Sequence, residues 1–113
     1  MSIQYKNQGF SLTTTNTVNI MTANSTSVVL IKQIQASNGS VGALALITQV
    51  NDFSASTVYR VSNRSIAGAA TTDIITKTLV LESGDSLRMT CATPDEIQGI
   101  VSYALINREN ENG

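Results

Sequence analysis

The chain of 113 residues contains no histidine and only one cysteine, Cys91. Without histidine it can form neither a Ser-His-Asp triad, nor a Cys-His pair, nor a histidine-ligated metal site. A single cysteine cannot form an internal disulfide, which is typical of a protein made in a reducing cytoplasm. We therefore expect no catalytic set, no metal site and no cofactor.

Charged residues are also scarce. They make up 13% of the chain, the net charge is −1, and the lysines and arginines are dispersed along the sequence. Nucleic-acid binding requires a basic stripe, so we expect no nucleic-acid partner. Apolar runs are no longer than Ala43 to Ile47, far short of the ~20 residues that span a bilayer, so we expect no membrane partner. The first residues lack the apolar segment of a secretory signal, and we expect synthesis in the cytoplasm.

Hydrophobic residues make up 42% of the chain, which indicates a single folded domain over residues 1–113. Serine, threonine and asparagine supply about a third of the residues, a composition that favours strands and turns over helices. Apolar or alternating segments recur at the spacing of an all-β protein. The sequence predicts an antiparallel two-sheet β-sandwich, jelly-roll or Greek-key, with about eight strands. The predicted strands lie around 9–12, 18–21, 28–34, 42–50, 57–61, 74–81, 87–91 and 97–106.

Some of these segments carry more specific expectations. Residues 28–34 begin with apolar residues on both faces, which predicts a central strand covered on both sides. Residues 42–50 are also rich in alanine and leucine, so a helix is the alternative there. The small and polar stretch 66–73 is typical of a surface loop. Residues 1–8 are expected to form an N-terminal arm, and 107–113 a polar C-terminal tail.

The segment from Leu79 to Cys91 has the clearest pattern. Its second half alternates strictly, with Leu87, Met89 and Cys91 on one face and Ser86, Arg88 and Thr90 on the other. This period of two predicts that the first set is buried and the second is more exposed. Glu82 to Asp85 is predicted to be a tight turn that joins neighbouring antiparallel strands, with a positive φ at Gly84.

Candidate functional residues are few. A pair of opposed carboxylates would be needed for glycoside hydrolysis, and Asp95 and Glu96 offer oxygen ligands for calcium, but neither forms a recognised motif. An interaction surface for a ligand or partner is the remaining alternative. Its candidate residues are Tyr59, Arg60, Asn63 and Tyr103, with the two tyrosines as a sugar-stacking platform if they share an exposed sheet face.

The order of segments resembles that of small virion proteins of tailed bacteriophages. The resemblance rests on the run Val29 to Asn38, on the turn Leu-Val-Leu-Glu-Ser-Gly-Asp-Ser-Leu at 79–87, and on Ile100-Val101-Ser102-Tyr103. Ser83 stands where alanine is commoner in this turn, and Tyr103-Ala104-Leu105 is not followed directly by a glutamate. The family carries no active site, so the resemblance implies no catalytic residues.

The resemblance implies a non-enzymatic virion structural protein that decorates or stabilises the capsid or forms a neck or tail appendage. It implies a homo-oligomer, with a trimer favoured, whose partners are the major capsid, neck or tail proteins. The protein would be made in the host cytoplasm and would end in the virion. The alternative is a receptor- or carbohydrate-binding module of a tail fibre, with a host-surface glycan as its ligand.

Overall fold

The computed structural model describes residues 2–107, which form nine strands and no helix. The strands are β1 (Ser2–Leu12), β2 (Val18–Thr22), β3 (Ser27–Asn38), β4 (Leu44–Asp52), β5 (Thr57–Ile66), β6 (Thr71–Ile75), β7 (Leu79–Leu81), β8 (Ser86–Cys91) and β9 (Ile97–Asn107).

The strands make two antiparallel sheets. Sheet A has the order β1-β9-β3-β6, and β7 pairs with β3 beside β6; sheet B has the order β2-β8-β4-β5. The chain changes sheets at most connections, and β4 and β5 form a hairpin within sheet B. The predicted all-β, two-sheet sandwich is therefore confirmed.

The core lies between the two sheets and is built from side chains that alternate along each strand. Sheet A contributes Ile31, Ile34 and Val101, and sheet B contributes Leu46 and Met89, all fully buried. Alternation is expected because successive side chains of a strand point to opposite faces.

The strand β8 follows its predicted pattern. Leu87, Met89 and Cys91 are buried, as predicted, and Arg88 and Thr90 are half-buried on the opposite face. Ser86 was expected to be exposed and is buried instead. It lies at the start of β8, where its hydroxyl hydrogen-bonds that of Thr22 on β2 at 3.0 Å.

Several element predictions need correction. The segment 74–81 is two strands rather than a single bulged one, because β6 and β7 each pair with a different part of β3. The predicted loop at 66–73 contains the fully buried Ile66 at the end of β5 and the first half of β6. The predicted strand at 42–50, rather than the helix alternative, is present as β4, which begins at Leu44 and extends to Asp52. The strand β3 is central in its sheet, but Val28 and Leu30 on its outer face are only half-buried.

The predicted N-terminal arm is an ordered part of the sandwich in this chain. Residues 2–8 belong to β1, which pairs with β9 from Ser2 opposite Asn107 to Leu12 opposite Ile97. A role of this segment in contacting neighbouring subunits stays a prediction. The predicted tail, 107–113, lies outside the described residues except for Asn107, which ends β9.

The turn at Glu82 to Asp85 joins the two sheets. Gly84 has φ of 91°, as predicted, and the Asp85 amide donates to the carbonyl of Glu82 at 2.9 Å. The strands on either side are β7 in sheet A and β8 in sheet B, so the expectation that they are paired neighbours is wrong. The turn is a corner of the sandwich.

The Asp85 side chain hydrogen-bonds its own turn and also fixes a second one. The carboxylate is 6% exposed and accepts the amide of Glu82 and the amide of Phe53, both at 3.0 Å. The backbone of Ala23, after β2, exchanges two further hydrogen bonds with Gly84 and Asp85 at 2.7 and 2.9 Å. Three connections of the chain thus meet at this corner, two of them through the Asp85 carboxylate and one through the backbone of Gly84 and Asp85.

Candidate interaction surfaces

The strand β5 carries three of the four candidate surface residues. It is one of the two edge strands of sheet B and is exposed along most of its length. Arg60 lies opposite Gln49 and Asn63 lies opposite Ile47, which places both on the outer face of sheet B. Tyr59 is 53% exposed but lies opposite the buried Val50, on the other side of the strand. Only Arg60 and Asn63 therefore share a face.

Tyr103 lies in the other sheet. It sits in β9 directly opposite the fully buried Ile31, and it is half-buried against the core. Tyr59 and Tyr103 therefore do not share an exposed sheet face, and the condition for a two-tyrosine stacking platform is not met.

The outer face of sheet A carries an apolar patch that the sequence analysis did not assign to a surface. It is made of two adjacent cross-strand rows, which we call the outer patch. The first row is Ile3, Ile106 and Val28, and the second is Tyr5, Ala104, Leu30 and Val80. Tyr5 is 81% exposed, Ile3 52% and Val80 47%. Contiguous exposed apolar residues on one face are typical of an interaction surface.

Sequence signals for the outer patch were present. Ile3 and Tyr5 are separated by one residue at the start of the chain, which is the strand period. The apolar run at Val28 to Ile31 predicted cover on both faces of β3. In the single chain, the inner face is covered by sheet B and the outer face remains half-buried or exposed.

The four edges of the two sheets differ in how well they are protected against pairing. On β2, β5 and β6 the pairing register shifts at a bulge, and β7 has only three residues. The strand β5 also carries two arginines, Arg60 and Arg64. Bulges, short strands and charges are the usual means by which edges avoid pairing with other chains.

The strand β1 has the fewest of these features. It runs for 11 residues in unbroken register with β9, and it contains no proline. Lys6 is its one charged residue. Within residues 2–107, no strand pairs with its outer edge. The strand β1 is thus the least protected edge of the described sandwich, and it also carries two residues of the outer patch.

Two shallow clefts also lie on the surface of the described chain. An apolar groove of about 320 Å³ runs between Val61 on β5 and the segment from Ile74 to Leu79. A polar cleft of about 290 Å³ is lined by Ser37, Gly39, Asp95, Glu96 and Gln98.

Neither cleft assembles a reactive or metal-binding group. Among residues 2–107, no group of three or more histidine, cysteine or acidic side chains converges on a metal site, so Asp95 and Glu96 lack companions. Cys91 is 1% exposed in the core, as expected for a small buried hydrophobe. No helix in the described part of the chain is long and apolar enough to cross a membrane.

Comparison with known proteins shows the fold. No family model matches the chain, and no curated protein is similar to it in sequence. Among solved structures, the chain is similar to a subunit of the disulfide-linked pili of Bacillus endospore appendages, with a TM-score of 0.54 and 10% identity over 92% of this chain and 84% of that one.

It is also similar to a protein of the infectious bursal disease virus T13 particle. The TM-score is 0.55 with 14% identity, and the match covers 91% of this chain but 30% of that longer chain. A pentameric capsid protein from metagenomic phage sequences matches at a TM-score of 0.41 and 15% identity, over 91% of this chain and 59% of that chain. That last likeness is too weak to support an inference. At these identities the first two show a shared β-sandwich architecture.

Proposed function

We propose that this protein is a non-enzymatic structural subunit of a virion, and specifically of a tailed bacteriophage, where it decorates or stabilises the capsid or forms a neck or tail appendage. The observation that carries the proposal is the combination of the outer patch with the unprotected edge of β1. An isolated sandwich rarely leaves a long edge and an apolar face uncovered together, because both promote association with other chains.

Other observations support the same proposal. Among the described residues no group of three or more histidine, cysteine or acidic side chains converges on a metal site, and Cys91 is buried. Two structures that share the fold come from a viral particle and from pili, which are assemblies of many subunits. The turn at 79–87 and the closing strand carry the resemblance to small phage virion proteins. The partners would be capsid, neck or tail proteins, and the subunit would be homo-oligomeric; the trimer stays a prediction.

The proposal is tested by locating the protein on particles. Antibodies against the chain should label purified virions from the source phage at regular positions in negative-stain images. Particles assembled without the chain should lose this label, and the purified chain added back should restore it. A chain that stays in the soluble fraction of the lysate and never sediments with particles would contradict the proposal.

The alternative, a receptor- or carbohydrate-binding module, now depends on the outer face of sheet B. Arg60 and Asn63 share that face, and Tyr59 and Tyr103 do not join them. A glycan array with the purified chain tests it. Binding that Arg60→Ala and Asn63→Ala both abolish, while Tyr103→Phe leaves it unchanged, would favour this alternative over a purely structural role.

A further inference from the structure

We propose that two copies of this chain join edge to edge through β1, in antiparallel register centred on Asn7, so that the two A sheets become one continuous sheet. The inference deepens the proposed function, because it names the partner of the unprotected edge. We choose a second copy of the chain as the partner because its own β1 is an exposed edge strand of the same length. Pairing of the two strands can also keep the outer faces of both A sheets on the same side.

The register follows from the chemistry of β1. A two-fold pairing that keeps both outer faces on one side of the joined sheet places one residue opposite its own copy. Centring on Lys6 sets two lysines directly opposite each other, which is unfavourable. Centring on Tyr5 limits the pairing to residues 2–8. Centring on Asn7 pairs the whole strand Ser2–Leu12 and opposes no like charges.

The same register also provides a contact for Tyr5, the most exposed aromatic side chain among the described residues. Tyr5, 81% exposed, then lies opposite Gly9 of the second copy. Gly9 is exposed, and a Cβ built on it would have only the Gly99 carbonyl oxygen within 4 Å, at 3.8 Å. The tyrosine ring can therefore lie across the bare backbone of the glycine. The monomer already pairs an aromatic with a glycine in this way, since Phe10 lies opposite Gly99.

Asn7 provides the test because it is exposed on the outer face and would face its own copy. We expect Asn7→Cys to form a disulfide-linked dimer under mild oxidation, since directly opposed strand residues lie about 4.5–5.5 Å apart between Cα atoms, which suits a disulfide. The native Cys91 is buried and does not compete. Asn63→Cys, on the exposed edge strand β5, is the matched control and should cross-link much more slowly.

Charge at the same position gives a second, independent readout. Asn7→Lys and Asn7→Asp each place like charges opposite each other and should each weaken the dimer about two- to fivefold, measured as the dissociation constant by analytical ultracentrifugation. An equimolar mixture of the two variants should associate at least as tightly as the unaltered chain. Recovery on mixing excludes misfolding as the cause of the weakening. Asn63→Lys should leave the dissociation constant unchanged.

The results separate this inference from the proposed function. Equal cross-linking of Asn7→Cys and Asn63→Cys, or a dissociation constant that neither charge variant changes, would overturn pairing through β1. If such a chain still bound phage particles, the virion role would stand and only the edge pairing would fall. A two-fold contact of this kind can link two trimers as well as two monomers. The measured mass should therefore correspond to an even number of chains.

Discussion

Replacing Asp85 by alanine should be among the most destabilising single changes in the chain. The carboxylate is 6% exposed and accepts two backbone amides at 3.0 Å, one from the 82–85 turn and one from Phe53 after β4. Hydrogen bonds to a charged group are worth about 1.5–3 kcal/mol each. Because Asp85 lies in a corner turn rather than in the middle of the core, we take the lower value for each bond. Asp85→Ala should therefore lower the free energy of unfolding by about 3 kcal/mol.

The measurement is urea unfolding followed by far-ultraviolet circular dichroism, with a parallel thermal melt. For a domain of this size, about 3 kcal/mol corresponds to a fall in Tm of roughly 12 °C or more. Asp85→Asn keeps one acceptor oxygen but turns an amide donor toward a backbone amide, so it should fall between the alanine variant and the unaltered chain. Asp73, exposed on β6 with one hydrogen bond to Gln33 at 3.1 Å, is the matched control, and Asp73→Ala should barely move the midpoint. If Asp85→Ala unfolds at the same urea concentration as Asp73→Ala, the corner does not depend on this carboxylate.

Three further predictions concern packing and backbone geometry. Thr48 is fully buried, and its hydroxyl has no hydrogen-bond partner. Thr48→Val should therefore raise the free energy of unfolding by about 1 kcal/mol, while Thr48→Ala should lower it. If the valine variant is less stable than the unaltered chain, the hydroxyl has a hydrogen-bond partner after all. A Cβ at Gly99 would overlap the carbonyl oxygen of Gln35 and lie 2.6 Å from Phe10. Gly99→Ala should therefore lower the free energy of unfolding by about 2–3 kcal/mol or more. Gly42→Ala is the control and should leave stability almost unchanged, because a Cβ there would have no contact within 4 Å. Gly84→Val should cost about 1–3 kcal/mol because of its positive φ and the Phe53 ring 2.8 Å from the new Cβ, and an unchanged Tm would contradict the corner geometry.

Features that depend on the alternation of side chains within one strand could be predicted from the sequence. Features that depend on pairing between strands far apart in the chain could not. The alternation of Leu87, Met89 and Cys91 is a property of one strand, and it correctly indicated which side is buried. The sheet to which a strand belongs is decided by pairing with residues far away in the chain. For that reason the 82–85 turn was mistaken for a hairpin between paired strands, when it is a corner between sheets.

The candidate surface shows the same division. Tyr59 and Arg60 are adjacent in a strand, so the period of two alone places them on opposite sides, and this signal was available in the sequence. The burial of Tyr103 could not be predicted from the sequence. It depends on the position of β9 between β1 and β3, and on Ile31 as the cross-strand neighbour of Tyr103. The outer patch likewise combines residues from both ends and the middle of the chain, which the topology alone brings together.

The position of β9 has a consequence for how the protein is made. Among residues 2–107 the strand β9 comes last in sequence, yet it lies between β1 and β3, and both of them pair with it. Sheet A therefore has a gap through its middle until residues 97–107 have left the ribosome. Up to that moment β1 has no partner strand, and Phe10 and Leu12 of β1 lack the neighbours that β9 provides in the core. We expect folding to be slow, as in other folds dominated by contacts between distant segments, and we expect sheet A to form only after residues 97–107 have been synthesised. A chain that terminates early, before β9, would expose two unpaired edges in place of one finished sheet.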